Sequence, residues 1–221
     1  MKKQMTKLLC FSLMILLSAC SMPKITTVEE AKVQQDNTAS TLKPNDLYWE
    51  PKDPTPYIAS TYNALSSQGL DEQGQAEAVL KAFLADFLTL SNKTSDGDIG
   101  GLDYIPSNSV SDFEEYAKYY YYDAYADLLT NQGSSALPEV TNIECENIQP
   151  ATISYMDQDY PGFTMDAKIT YKKGQEASDF KTSAKCSIIK MQDIHYVSKS
   201  DVTSGKEAGE AKNVYRVIQV E

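Results

Sequence analysis

The chain has one histidine, His195, and one tryptophan, Trp49, among 221 residues. A single imidazole excludes any site built from several histidines. It leaves His195 as the one candidate base of its type, two positions after Asp193 at the end of a strand-like run. A structural histidine is the commoner occupant of such a bend. No nucleophile elbow, zinc-ligand spacing or phosphate-binding loop occurs. No catalytic, metal or cofactor-binding residue is therefore assigned. The longest apolar run, Leu8 to Leu17, is about half the length that a helix needs to cross a bilayer. Basic side chains are the minority, 20 against 31 acidic, for a formal charge of −11. That balance argues against nucleic acid as a partner.

What is present begins at the N-terminus. Lys2, Lys3 and Lys7 precede the apolar run, and Leu17-Ser18-Ala19-Cys20 ends it. A charged start, a short apolar core and small residues before a cut mark a cleaved leader. Leu17-Ser18-Ala19-Cys20 resembles the lipobox of bacterial lipoproteins. The resemblance implies cleavage before Cys20, a diacylglyceryl group on its sulfur and fatty acylation of palmitate type. Two chains suffice for stable anchoring, since each buried methylene contributes about 0.8 kcal/mol. Residues 1–19 are thus read as a signal peptide. The mature protein is expected at the cell membrane, lipid-anchored through Cys20 and facing outside the cytoplasm.

Cleavage takes three lysines and no acid, leaving 17 basic against 31 acidic side chains and a formal charge of −14. It also takes Cys10, and lipidation uses Cys20. Cys145 and Cys186 remain, in an oxidising compartment if the leader reading holds. Two alternatives stay open for them. A disulfide would close a loop of about 40 residues and contribute ~4 kcal/mol in the loop-entropy picture. Otherwise they are two buried thiols.

Residues 20–69 lack a hydrophobic repeat and carry Pro44, Pro51, Pro54 and Pro56. Such proline density favours extended, semi-rigid chain, so this stretch is read as a lipidated tether. Trp49 within it is a candidate anchor for a partner. The globular domain is placed at 70–221.

Ala76, Val79, Leu80, Phe83, Leu84, Phe87 and Leu88 recur at steps of three and one. They predict an amphipathic helix over 70–91, with Glu77 and Lys81 paired four apart. A Gly-rich loop follows. Asp96, Gly97, Ile99 and Asp103 fall on places of a twelve-residue calcium loop, but Asn92, Thr94 and Gly100 are poor ligands there. It is read as an acidic turn. Ser111-Asp112-Phe113-Glu114 has the capping-box pattern and opens a second helix that stops at Gly133. Phe113, Ala117, Tyr120, Ala124 and Leu128 form its inward stripe. Tyr116, Tyr119, Tyr122 and Tyr125 then form an aromatic surface, either for a partner or ligand, or for neighbouring loops.

From Glu139 the period changes from helical to alternating. Strands are expected over 140–148, with 151–156 continuing or following it, and over 163–171, 180–191 and 214–220, with a turn over 157–162. No helix intervenes, so the strands form a meander. The fold class is α+β, with two or three helices packed on one curved antiparallel sheet.

The order helix, helix, sheet over 70–221 resembles the nuclear transport factor 2-like fold. Together with the lipobox and the loop containing Tyr104-Ile105-Pro106, it is similar to scaffold subunits of type IV secretion machines in Gram-positive conjugative elements. This resemblance implies a non-enzymatic scaffold with protein partners in a membrane complex, including copies of itself. The alternative is a small-ligand-binding lipoprotein that uses the cone of the domain.

Overall fold

The computed structural model describes residues 41–173, 180–197, 203–205 and 207–221. The expected signal peptide and the lipobox-like Leu17-Ser18-Ala19-Cys20 lie outside the described residues. Four antiparallel strands run in the order β1 (Val140–Tyr155), β2 (Gln158–Tyr171), β3 (Ser183–Asp193) and β4 (Lys212–Val220). Each pairs with its neighbour in sequence, as expected of a meander. On β2 the period-two pattern buries Met165, Ala167, Ile169 and Tyr171 and exposes Thr164, Lys168 and Thr170. Helices pack against this sheet, so the class is α+β.

The β1–β2 turn is tighter than expected. Met156 and Asp157 alone make it, with φ of 48° and 61°, the two left-handed residues of a two-residue hairpin. Pairing continues through Tyr155 with Gln158 and Thr152 with Pro161. The expected turn over 157–162 is therefore mostly strand. Pro161 is tolerated because β2–β3 pairing begins only at Gly162, so no ladder bond on that side requires its missing N–H. A bulge between Glu146 and Gln149 bends β1, with Asn147 at φ 52°.

Helix α2 (Glu72–Leu88) follows the predicted stripe. Asp71 caps it by accepting the Gly74 N–H at 2.8 Å. The apolar face is buried against β1 and β4, with Phe87 partly buried at its end.

The domain begins well before residue 70, which corrects the tether boundary. Helix α1 (Pro56–Ala64) starts with proline at its first position, where a missing N–H is harmless. Thr55 caps it. Ile58, Ala59 and Tyr62 enter the core. Tyr48 is also buried, and its hydroxyl donates to the Tyr215 carbonyl and accepts the Tyr215 N–H on β4. The prolines here shape a segment that packs on the sheet.

The second helix starts at Val110, one residue before the expected cap. The Ser109 hydroxyl, at the cap position, is shared with Tyr155 at 2.6 Å, and Ser111 lies within the first turn. Helix α3 (Val110–Ala117) passes into a π-helical segment, Lys118–Tyr122, and then α4 (Ala124–Gln132).

Cys145 and Cys186 are free thiols, which corrects the disulfide alternative. Cys145 lies opposite Ala167, and Cys186 opposite Met165, so β2 runs between them. Two strand spacings are about 9.6 Å, beyond the ~7 Å Cα separation that a bridge spans. Burial pushes each thiol up to about 12. In a chain beginning at Ser21, a thiol reagent near neutral pH is expected to react with both roughly a thousandfold more slowly than with free cysteine. Denaturation should then release two titratable thiols. None after denaturation would mean a bridge.

Candidate functional site

The main hollow is an open cleft of about 730 Å³ between helix α3 with its π segment and the β4 side of the sheet. Its floor comes from α2, where Phe83 and Phe87 stack at 5.4 Å and both meet Phe113. Ile105 and Pro106 close one wall. Val217, Ile218, Gln219 and Val220 form another. Successive side chains of a strand point to opposite faces. Four consecutive lining residues therefore mean that the cleft runs along the free edge of β4.

The π segment explains the helix wall. In a regular helix, Tyr121 and Tyr122 would diverge by 100°. The wider π turn lets both point at the end of α2. Tyr121 donates to the Leu88 carbonyl at 2.7 Å. Tyr122 donates to the Phe87 carbonyl at 2.8 Å and accepts the Gly100 N–H at 2.9 Å. The last carbonyls of a helix have no intrahelical partner, and these phenols supply it. Burial raises the pKa of both phenols, so they remain neutral donors.

The expected tyrosine surface is thus split. Tyr116 and Tyr119 are 61% and 62% exposed, whereas Tyr122 and Tyr125 are buried and structural. Tyr120, expected in the inward stripe, is 73% exposed. The π segment turns it outward and brings Tyr121 in its place. Tyr116 and Tyr120 stack at 4.6 Å on the rim of the cleft. Tyr155 on β1 adds a hydroxyl beside Ser109 and Asn108.

Trp49 lies elsewhere. It lines a smaller hollow of about 280 Å³ with Gly100, Gly101, Asp103 and Tyr104. Its ring stacks on His195 at 5.0 Å, and its backbone N–H donates to Asp103 at 2.7 Å. His195 Nδ1 is 3.2 Å from both Asp103 oxygens. His195 thus pairs with Asp103, 92 positions away, although Asp193 is the acid nearest to it in sequence. Asp193 instead accepts from Arg216 and from both the N–H and hydroxyl of Ser107. The imidazole braces the Trp49 segment against the domain.

In the Gly-rich loop, Asp98 accepts the Thr94 N–H and hydroxyl, closing its own turn. Among the described residues, no three His, Cys, Asp or Glu side chains converge as metal ligands. Within the same residues, no helix is long and apolar enough to cross a membrane. The cleft offers apolar surface, phenol hydroxyls, Asp112 and Lys181. That set suits binding by shape and weak polar contacts. No family model, curated protein or solved structure matches this chain.

Neither the cleft nor the π segment was named from sequence. The four-tyrosine run was visible, but identical side chains on every side of a helix carry no periodicity to reveal an inserted residue.

Proposed function

We propose that this chain is a non-enzymatic, lipid-anchored protein at the cell membrane, facing outside the cytoplasm. It serves as a scaffold subunit of a membrane complex, of the type IV secretion kind in a conjugative element. The observation that carries this reading is the open apolar cleft rimmed by exposed Tyr116 and Tyr120. Exposed aromatics beside a desolvated floor are the usual anchors of protein interfaces. Helices on one face of a meander, with a cleft between helix and sheet, also support a nuclear transport factor 2-like domain. The acidic composition supports protein rather than nucleic acid as partner.

A photo-cross-linking amino acid at Tyr120 of the full chain in cells tests this. Cross-links to membrane proteins of one complex are expected, with none from the same group at Tyr160 on β2. Cross-links from Tyr160 alone, or none from Tyr120, would overturn it. Loss of palmitate labelling in Cys20→Ser checks the anchor.

One observation favours a second reading. The cleft volume lies within the range of small-molecule sites, roughly 300–1,000 Å³. A retained small molecule in the native mass spectrum of purified protein would select that reading.

A further inference from the structure

Next to the cleft lies a shelf formed by Asp112, Glu115, Tyr116, Tyr119 and Tyr120. Asp112, Tyr116 and Tyr120 border both hollows, so shelf and cleft are one continuous surface. Asp112 and Glu115 are exposed and form no ion pair with the described residues. Helical spacing sets each acid four residues before a tyrosine: Asp112 before Tyr116, Glu115 before Tyr119. The two carboxylates thus share the shelf with the three exposed rings Tyr116, Tyr119 and Tyr120.

On the reading that the cleft holds a protein partner, we infer that the partner presents a polypeptide segment with apolar side chains for the cleft and arginine for the shelf. The charge argument is direct. A guanidinium stacks on a phenol face and forks its N–H groups to a carboxylate at the same time. The stacked Tyr116–Tyr120 pair, 4.6 Å apart, offers that face, and Asp112 and Glu115 offer the acceptors. An acidic segment would meet two unneutralised carboxylates. A small molecule of this chemistry fits less well, because small-molecule sites enclose most of the ligand surface. This surface is an open cleft continuing onto an exposed shelf.

The test uses the full chain in detergent and fluorescent peptides alternating leucine and phenylalanine with arginine. Control peptides carry glutamine or glutamate at the arginine positions. The arginine peptide is expected to bind about tenfold more tightly than the glutamine one, from one cation–π contact and two exposed ion pairs. The glutamate peptide should bind more weakly still. Asp112→Asn combined with Glu115→Gln, or Tyr116→Ala combined with Tyr120→Ala, should each remove about that tenfold advantage. Asp127→Asn on α4 should leave it unchanged. Equal binding of the three peptides would overturn the inference. So would an equal loss from Asp127→Asn, since the attraction would then be general charge. Binding of the glutamate peptide, with Tyr120 still cross-linking to a membrane complex, would overturn this inference and leave the scaffold reading standing. Binding of decanoate in the cleft, with no peptide bound and no cross-link, would overturn both.

Discussion

Replacing Arg216 by methionine is expected to cost about 3–5 kcal/mol, the usual effect of stripping one partner from a buried ion pair. Arg216 is 1% exposed. Its Nε donates to Asp193 at 2.8 Å, and its terminal nitrogens donate to the carbonyls of Asp103 and Ile194 at 2.7 and 2.9 Å. It also sits 5.6 Å from the Tyr48 ring centroid. One side chain on β4 thus ties together the end of β3, the loop before α3 and the segment before α1. Methionine fills similar space but donates nothing. Asp193 would keep only Ser107 and the Ile194 N–H, and two part-buried carbonyls would lose these donors. Urea unfolding followed by Trp49 fluorescence reads the loss, since Trp49 stacks on His195 beside this network. Asp193→Asn in the same chain should recover part of it, because the stranded charge is then gone. A loss below about 1 kcal/mol would mean that the pair behaves like an exposed one.

The pH dependence has a definite sign. Burial pushes the Asp193 carboxyl up, but hydrogen bonds from Arg216 and Ser107 outweigh that and hold it below the ordinary value. A depressed carboxylate contributes stability above its unfolded pKa of about 4, and that stability is lost as pH falls through the folded value. Without Arg216, burial is opposed only by the bonds from Ser107 and the Ile194 N–H, so the carboxylate is held less firmly in its charged form. The cost of Arg216→Met should therefore shrink as pH falls below about 4. A pH-independent difference would sink this account.

Period and burial agree wherever one face of an element decides its position. Ala76, Val79, Leu80, Phe83, Leu84 and Leu88 on α2 and Met165, Ala167 and Ile169 on β2 were legible for that reason. The segment before residue 70 was not. Its prolines mask any repeat, although Thr55 ahead of Pro56 carries the cap-then-proline signal of a helix start. The cleft was illegible because it is made where elements meet. Its β4 wall, its Phe83–Phe87 floor and its tyrosine rim come from segments that no local pattern joins. The Asp103–His195 contact spans 92 positions. Adjacency in sequence shows only Asp193 beside the histidine, and topology brings Asp103 to it instead.

Replacing Lys93 by methionine should cost about 3–5 kcal/mol for a related reason, and it reaches a different part of the molecule. Lys93 Nζ lies 2.6 Å from Asp86 Oδ1, with the side chains only 5% and 13% exposed. The other carboxylate oxygen accepts the Gly101 N–H at 2.7 Å. The pair therefore holds the Gly-rich loop against the last turn of α2. Packing there leaves no slack. A Cβ on Gly100 would lie 2.3 Å from the Asp86 carbonyl oxygen and 2.7 Å from Lys93 Nζ. Only glycine fits, and Tyr122 takes the Gly100 N–H as part of the helix wall of the cleft. Methionine at 93 leaves Asp86 charged, buried and held by one N–H. Asp86→Asn in the same chain keeps an acceptor for Gly101 and removes the charge, so the double variant should be about 2 kcal/mol more stable than Lys93→Met alone. The exposed pair Glu77–Lys81, 28% and 30% exposed, is the control. Its loss should cost at most about 0.5 kcal/mol. Because the loop abuts Tyr122, Lys93→Met should also weaken binding at the Tyr116–Tyr120 rim, without touching it. Unchanged binding would separate the loop from the cleft.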